Sequence, residues 1–434
     1  MASFSAGDGA ALFFSHTLPA RTRLAAAVGS AVSQASRRLG RGGGSVVGGR
    51  AILAVDPQAL SRLAKGRDIA LVSGTNGKTT TTSLLRAALS TGGPVATNLL
   101  GANLPPGLAA ALAAEPGAVT AALEVDEAWL GKVVGETAPK AVALLNLSRD
   151  QLDRNNEVRT LASSWRRTFG PGASRDPLAD PRADPPTVVA NADDPMVAWG
   201  AGLAQDVRWI GAGLPWTDDA AGCPACAGRV KFSEGGDWAC GTCDFRRPQL
   251  DAWLESVDLV RADGSRTTLR VSLPGRANLA NAAIAVTVAE VMGRDPEASA
   301  ESVSHVSEVV GRYATVTAGT TRARLLLAKN PAGWLEVFDV LRPAPLPAVV
   351  AINARIADGR DPSWLWDVPF ERLAGRLVVA TGERSRDLAV RLHYAGVEHR
   401  REPDLLKAIA ATESGDVDVV ANYTSFQQLR ALLT

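Results

Sequence analysis

Short apolar runs that end in a turn and lead into a helical pattern recur along the chain from about residue 68. Residues 68–73 lead through a glycine-containing turn into a helical stretch at 79–90. Residues 119–124 and 141–146 are later runs of the same kind. Strands that alternate with helices are typical of a parallel sheet covered on both faces. This part of the chain is therefore predicted to form an α/β domain.

The pattern changes twice further along. The segment 170–186 is rich in Pro, Asp and Ala and predicts a surface loop, after which residues 187–191 return to a strand pattern. Cys, Gly and Trp dominate residues 211–248, which marks an insertion. The sheet pattern returns before Gly275, and residues 277–292 predict an alanine-rich buried helix.

A second α/β unit is predicted from about residue 312. Its expected strands are residues 348–353, 376–381 and 417–422. We therefore expect an N-terminal helix with a flexible segment, a central domain that carries the insertion at about 220–248, and a C-terminal domain. Their expected limits are 1–55, 56–311 and 312–434.

The composition is that of an ordinary folded protein. The chain has 434 residues, of which 46% are hydrophobic and 21% charged, so two or three domains are expected. Its 46 basic and 45 acidic residues give a net charge of +1, which does not favour nucleic acid or an anionic membrane as a partner. No run of 18 apolar residues occurs, so a membrane-spanning helix is not expected.

The N-terminal segment is strongly basic. The first 55 residues contain six arginines and one acid, Asp8, a composition that transit peptides share. Residues 21–39 can form an amphipathic helix, and residues 41–45 form a glycine-rich break. We favour a mobile or partner-docking N-terminal helix and a cytoplasmic location.

A candidate phosphate-binding loop follows the first predicted strand. Residues 73–80 read Ser-Gly-Thr-Asn-Gly-Lys-Thr-Thr and open a predicted helix. Glycines let backbone N–H groups approach phosphates, Lys78 can supply a positive charge, and the Thr79 hydroxyl can bind Mg²⁺. Val72 stands where the strict Walker pattern has glycine. The alternative is a glycine-rich turn with an exposed lysine.

This loop resembles the ATP loop of the Mur ligases and folylpolyglutamate synthases, which activate a carboxylate as an acyl phosphate for attack by an amine. The resemblance implies a set of ATP-binding residues: Gly74, Thr75, Asn76, Gly77, Lys78, Thr79 and Thr80. Glu124 ends a predicted strand and is expected to hold Mg²⁺ together with Thr79. The alternative for Glu124 is a solvated carboxylate at a strand end.

Two further segments fit the same family. Residues 275–283 resemble its Gly-x-x-Asn-x-x-Asn-Ala motif, which implies that Asn281 contacts the nucleotide, while Asn278 could instead cap a helix. Arg312 could contact phosphate or be an ordinary surface arginine. Gln151 replaces the histidine of an Asp-His motif found in many Mur ligases. The lysine that is often carbamylated is also missing, because only Lys231 lies between Lys140 and Lys329.

All four cysteines lie in the insertion. Cys223 and Cys226 form one CxxC pair, and Cys240 and Cys243 form a second. Four thiolates at this spacing predict a structural zinc ribbon, with a redox dithiol pair as the alternative. If all four bind Zn²⁺, no thiol remains to attack glutamine. The histidines are also distant in sequence from any nucleophile, so ammonia is expected to come from another chain.

The C-terminal segments 327–333, 353–367 and 422–425 resemble the MurT family, the ligase subunits of the lipid II isoglutaminyl synthases. The resemblance covers roughly residues 20–430. It implies ATP-dependent amidation of the D-glutamate α-carboxylate of lipid II at the inner face of the membrane, with ATP and Mg²⁺. It also implies a heterodimer with a glutaminase subunit, GatD.

The same resemblance implies that Asp361 is catalytic. Asp361 followed by proline is equally a helix cap, and Asp358 and Asp367 are weaker catalytic candidates. Two alternative functions stay open at this point. One is a stand-alone Mur or folylpolyglutamate-type ligase that adds an amino acid, and the other is a zinc-ribbon scaffold that uses nucleotide only as a switch.

Overall fold

The computed structural model describes residues 18–38, 45–98, 101–149, 158–172, 176–178, 184–307 and 313–433. Within these ranges the chain forms a nine-stranded sheet, a six-stranded sheet and a two-stranded ribbon. Helices accompany both large sheets. The predicted α/β class is confirmed.

The first sheet has the strand order β11-β10-β9-β6-β5-β4-β1-β3-β2. All neighbouring pairs from β9 to β2 are parallel, whereas β10 and β11 run antiparallel at one edge. Its strands are β1 (Asp68–Ser73), β2 (Val95–Thr97), β3 (Thr120–Glu124), β4 (Ala141–Leu144), β5 (Thr187–Asn191), β6 (Asp206–Gly211), β9 (Ala252–Glu255), β10 (Asp258–Arg261) and β11 (Arg266–Thr268).

Both faces of this sheet are buried, which explains its apolar strands. Ile69 and Leu71 belong to one hydrophobic core, and Ala70 and Val72 belong to the other, as expected when successive side chains point to opposite faces. The helices are α1 (Ala20–Arg38), α2 (Ser45–Val55), α3 (Ala59–Ala64), α4 (Lys78–Leu89), α5 (Pro105–Ala114), α6 (Leu130–Thr137), α7 (Val158–Phe169), α8 (Pro195–Ala201), α9 (Arg276–Val291) and α10 (Pro296–Ser304).

The second sheet has the order β12-β13-β17-β14-β15-β16 and is parallel except for β12. Its strands are β12 (Tyr313–Ala318), β13 (Thr321–Leu327), β14 (Ala348–Ala351), β15 (Val378–Thr381), β16 (His399–Arg401) and β17 (Asp416–Ala421). Its helices are α11 (Pro331–Val340), α12 (Ser385–Tyr394), α13 (Leu405–Ala410) and α14 (Tyr423–Leu433). Strand β14 ends before the predicted residue 353, where the backbone N–H of Asn353 donates to the Asn422 side chain.

The N-terminal helix α1 packs against α2. Ala25 and Gly29 are buried, and a Cβ atom at Gly29 would lie 2.3 Å from the Ile52 side chain. Of the glycine-rich break, Ser45 already belongs to α2, and residues 41–44 lie outside the described residues. No helix among the described residues is long and apolar enough to cross a membrane.

Candidate functional site

The predicted phosphate loop lies at the carboxyl edge of the first sheet. Ser73 at the end of β1 pairs with Leu144, and the preceding Val72 pairs with Glu124, so three neighbouring strands end together. Gly74 and Gly77 have φ angles of +147° and +82°, values that favour glycine. Gly77 immediately precedes α4, whose first N–H groups have no carbonyl partner within the helix.

Asn146, which follows β4, fixes the conformation of the loop. Its backbone carbonyl accepts from the Thr75 N–H at 2.9 Å, and its Oδ1 accepts from the Asn76 N–H at 2.9 Å. The Ser148 N–H donates to Oγ1 of Thr75 at 3.0 Å. Contacts within the protein therefore fix the shape of the loop, which leads directly into the first turn of α4.

Lys78 is buried in this loop and carries an ion pair. Its Nζ lies 3.0 Å from Oε2 of Glu127 and donates to the carbonyls of Gly74 and Thr75. Only 5% of Lys78 is exposed, which excludes the alternative of an exposed lysine in a turn. Glu127 was not among the predicted site residues, although it lies shortly after Glu124, in the loop that follows β3.

Thr79 and Glu124 lie side by side. The Thr79 hydroxyl donates to Oε2 of Glu124 at 2.8 Å. Glu124 is 2% exposed, so it is not a solvated strand end. Asn98 bonds both backbone groups of Glu124, and Asn103 donates to its Oε1 at 3.3 Å. A hydroxyl and a carboxylate held together in this way are the oxygen donors that Mg²⁺ prefers, so the residues present fit that ion.

Asp126 adds a third carboxylate to this edge, beside Glu124 and Glu127. Burial raises its pKa, the charge of Glu127 raises it further, and the ammonium groups of Lys78 and Lys329 act in the opposite direction. Lys329 precedes α11 of the second sheet. Charged groups from both sheets therefore influence one another at this edge.

Asn281 in α9 lies against the phosphate loop. A Cβ atom at Gly77 would lie 2.7 Å from its Oδ1. Asn278 does not cap the helix: Gly275 holds the cap position, and the Asn278 amide donates to the Pro274 carbonyl at 2.7 Å. That alternative for Asn278 was wrong because α9 begins at Arg276, two residues before it.

A cavity of about 290 Å³ opens beside Asn76 and Asn281. Its lining also includes Asn191, Trp216 and Glu336, the last from α11 of the second sheet. The indole N–H of Trp216 is buried and has no hydrogen-bond partner among the described residues. The volume is at the lower limit for small-molecule sites, and the lining combines apolar surface with a few polar groups.

The four cysteines form one cluster. Their Sγ atoms lie within 4.8 Å of one another, with 3.8 Å between Cys223 and Cys243 and 3.5 Å between Cys226 and Cys240. Tetrahedral ligands at the usual Zn–S distance are about 3.8 Å apart, so the cluster fits Zn²⁺. Backbone N–H groups, first that of Thr242, lower the pKa of Cys240 to about 6, which favours a thiolate.

The cysteines lie around a small ribbon that packs on the first sheet. The ribbon strands are β7 (Val230–Phe232) and β8 (Trp238–Cys240). The Trp238 indole donates to the Ala192 carbonyl at 2.9 Å, and Arg247 forms an ion pair with Asp193. The predicted insertion is thus a separate cysteine-bearing unit that is attached beside β5.

Comparison with known proteins agrees with this geometry. Residues 72–211 match the Mur ligase middle domain, and residues 327–426 match the MurT ligase C-terminal domain. The chain is 30% identical over 430 residues to the lipid II isoglutaminyl synthase (glutamine-hydrolyzing) subunit MurT of Streptococcus pneumoniae, covering 91% of this chain and 93% of that protein. The chain belongs to the MurT family. It is 28% identical to the MurT subunit of Staphylococcus aureus strain N315, over 90% of this chain and 93% of that one.

Solved structures show the same fold for this MurT-family ligase. A pseudomurein peptide ligase type C from Methanothermus fervidus superposes with a TM-score of 0.66 at 16% identity, covering 88% of this chain and 84% of that one. MurF from Acinetobacter baumannii superposes with a TM-score of 0.61 at 16% identity, covering 88% of this chain and 79% of that one. A folylpolyglutamate synthase/dihydrofolate synthase from Yersinia pestis, solved with AMPPNP and a manganese ion, gives 0.53 at 18% identity, covering 86% and 92%.

The three candidate aspartates of the MurT-type C-terminal unit have different surroundings. Asp358 is 4% exposed and accepts from the Thr424 N–H at 2.8 Å, so it fixes the start of α14. Asp367 lies 3.4 Å from Arg149. Asp361 is exposed, and its Oδ1 accepts from the Ser363 N–H at 2.9 Å at the start of a short 3₁₀ helix. Pro362 holds the cap position of this helix, so Asp361 bonds the backbone two residues further on without being the cap that the alternative expected.

Two predicted features of this MurT-family chain lie outside the described residues. They are Arg312 and the Gln151 segment. One residue that the predictions missed is Asn330, whose Oδ1 caps α11 and whose amide donates to Asn76 of the phosphate loop at 3.2 Å. An asparagine followed by proline is a sequence signal for such a cap.

Proposed function

We propose that this chain catalyses the ATP-dependent amidation of the D-glutamate α-carboxylate in the stem peptide of lipid II, which yields D-isoglutamine. Membership of the MurT family carries this proposal. It is supported by the group of Lys78, Thr79 and Glu124 at one sheet edge, in which Lys78 and Glu124 are buried, next to a cavity. The membrane-linked substrate and the glutamine dependence are taken from the names of the relatives.

In the proposed reaction, the carboxylate oxygen attacks the γ-phosphorus of ATP, the bond to the β–γ bridging oxygen breaks, and ADP leaves. Ammonia then attacks the acyl carbon, the carbon–oxygen bond to phosphate breaks, and a proton is released. Lys78 and the first N–H groups of α4 would bind the phosphates. Thr79 and Glu124 would hold Mg²⁺, which supplies positive charge against the phosphate oxygens when bound.

We propose further roles for the remaining predicted residues. Asn281 would contact the nucleotide, and the cavity lined by Asn76 and Trp216 would receive its base. Asp361 would act in the amidation step, and Arg312 would contact phosphate. The four cysteines would hold a structural Zn²⁺ that keeps the ribbon folded.

We also propose that ammonia comes from a GatD-type glutaminase subunit in a heterodimer. The relatives are named as subunits of a glutamine-hydrolyzing enzyme. A cluster in which all four thiols bind metal offers no nucleophile for glutamine hydrolysis. The expected place of action is the inner face of the membrane, where lipid II is made.

The test is an amidation assay with the chain, the GatD-type subunit, lipid II, ATP and glutamine. The product is the carboxamide, detected by mass spectrometry. Ammonium salt should replace both glutamine and the partner, and Lys78→Ala should abolish product and ATP consumption. Transfer of an amino acid by the chain alone would favour the stand-alone ligase instead, and absence of ATP consumption beyond the Lys78→Ala control would favour a scaffold.

A further inference from the structure

The N-terminal helices form a strongly basic layer that the net charge of the whole chain conceals. Helices α1, α2, α3 and α5 contain no acidic residue. Their arginines are Arg21, Arg23, Arg37, Arg38, Arg50 and Arg62. Asp56, between α2 and α3, is engaged by Arg62 at 2.9 Å and by Thr22. The other five arginines are exposed, in a chain with a net charge of only +1.

Close glycine contacts fix which ends of these helices meet. A Cβ atom at Gly48 would lie 1.9 Å from Oγ of Ser33 in α1, and one at Gly49 would lie 1.8 Å from the Pro106 carbonyl in α5. Such contacts require the helix backbones to touch. The last turn of α1, the first turn of α2 and the first turn of α5 therefore lie at the same end of the layer.

Exposed apolar side chains accompany the arginines at that end. Val46 and Val47 are 38% and 47% exposed, and Leu104, just before α5, is 41% exposed. Arg37 and Arg38 close α1 one turn after Ser33. We call the following set the basic-apolar patch: Arg37, Arg38, Val46, Val47 and Leu104.

The patch is joined directly to the candidate active site. Asn103, the neighbour of Leu104, donates to Oε1 of Glu124 at 3.3 Å. The carbonyl of Asn103 accepts from the Asp126 N–H at 3.0 Å. A surface that met the patch would therefore lie one residue away from a direct contact with Glu124.

We propose that the basic-apolar patch docks on the anionic surface of a lipid bilayer. Arginines attract anionic headgroups, and a few exposed apolar side chains can enter the interface without a spanning helix. Docking rests on the proposed function in one respect, because a bilayer is the environment that holds lipid II. The patch would bring the site to a substrate that does not leave the membrane.

The experiment measures co-sedimentation of the full chain with vesicles, without nucleotide or substrate. Binding is expected to vesicles of phosphatidylcholine with phosphatidylglycerol, and to weaken as salt is raised. Arg37→Gln/Arg38→Gln should reduce the partition coefficient about 30-fold, since each basic residue contributes about a factor of five. Val46→Ser/Val47→Ser should reduce it by a smaller factor.

The matched control is Arg400→Gln/Arg401→Gln, an exposed arginine pair in β16 with the same change in charge, which should bind like the wild type. Equal binding to pure phosphatidylcholine, or an equal loss in the control, would overturn docking. If Arg37→Gln/Arg38→Gln lost binding of the GatD-type subunit but kept vesicle binding, the patch would be a protein interface. If the chain amidates detergent-solubilised lipid II but does not bind vesicles, docking is rejected and the proposed function stands. If it binds vesicles through the patch but does not amidate lipid II, the proposed function is rejected and docking stands.

Discussion

Asn330 connects the two sheets: its Nδ2 donates to Oδ1 of Asn76 at 3.2 Å, although 254 residues separate the two in sequence. The Oδ1 atom of the same side chain accepts from the Gly333 N–H at 2.9 Å and caps α11. One buried amide thus fixes the start of a helix in the second sheet and contacts the phosphate loop of the first. If either unit changes position, this hydrogen bond to the phosphate loop must lengthen or break.

Two substitutions separate these roles of Asn330. Serine retains a cap but is too short to reach Asn76, whereas alanine loses both contacts. We expect both variants to raise the KM for ATP about fivefold, the value of one net hydrogen bond. Asn330→Ala should lose about 1 kcal/mol more than Asn330→Ser in the free energy of unfolding, because only alanine also loses the cap. If the KM for ATP changes only in the alanine variant, the cap matters and the contact with Asn76 does not.

The ion pair between Lys78 and Glu127 predicts a stability that depends on nucleotide. Glu127→Gln leaves a buried ammonium without its counter-charge, so the free energy of unfolding should fall by about 3 kcal/mol. MgATP should recover part of this loss because its phosphates supply negative charge. Thermal denaturation with and without MgATP measures both effects.

The exposed pair Lys140–Asp68 offers a control for that measurement. Its charges are 3.5 Å apart and both side chains are about half exposed, so Asp68→Asn should cost less than about 0.5 kcal/mol. If MgATP leaves the stability loss of Glu127→Gln unchanged, the Lys78–Glu127 pair does not hold Lys78 for phosphate binding.

The contrast between Glu124 and Glu127 shows what the sequence could predict. Glu124 could be predicted because it ends an apolar run, and parallel strands place such ends at one edge. The pairing of Glu127 with Lys78 depends on the path of the loop after β3, which has no periodic signal. Asn330 was recognisable as a cap, but its contact with Asn76 depends on how the two sheets lie against each other.

The cysteine cluster predicts one zinc ion per chain. Elemental analysis of the reduced, purified protein should find it, and Cys240→Ser should lower the zinc content and the melting temperature. Thr242→Ser is the control, because its backbone N–H still donates to Cys240. A reduced chain that contains neither zinc nor iron would reject the metal ribbon.

Asp194 predicts how stability changes with pH. Burial raises its pKa to about 6, while its three backbone hydrogen bonds to Leu147, Met196 and Val197 act in the opposite direction. Between the ordinary value of 3.8 and 6, the folded state holds a proton that the unfolded state has lost, so stability falls as pH rises. Relative to Asp194→Asn, the wild type should lose about 2.4 kcal/mol between pH 4 and pH 7. Urea unfolding at several pH values measures it, and a constant difference would contradict the buried acid.

The substitution Asp361→Asn distinguishes a catalytic role of this residue from a structural one. Asparagine retains the Oδ1 atom that accepts from Ser363, so Asp361→Asn should fold and melt like the wild type. If the carboxylate acts in amidation, the rate should fall by at least about 100-fold, the usual minimum for a positioned acid or base. Asp404→Asn is the matched control, since Asp404 is also exposed and caps α13 through the Lys407 N–H at 2.9 Å. A folded Asp361→Asn enzyme that amidates at the wild-type rate would leave Asp361 with only its structural contact to the Ser363 N–H.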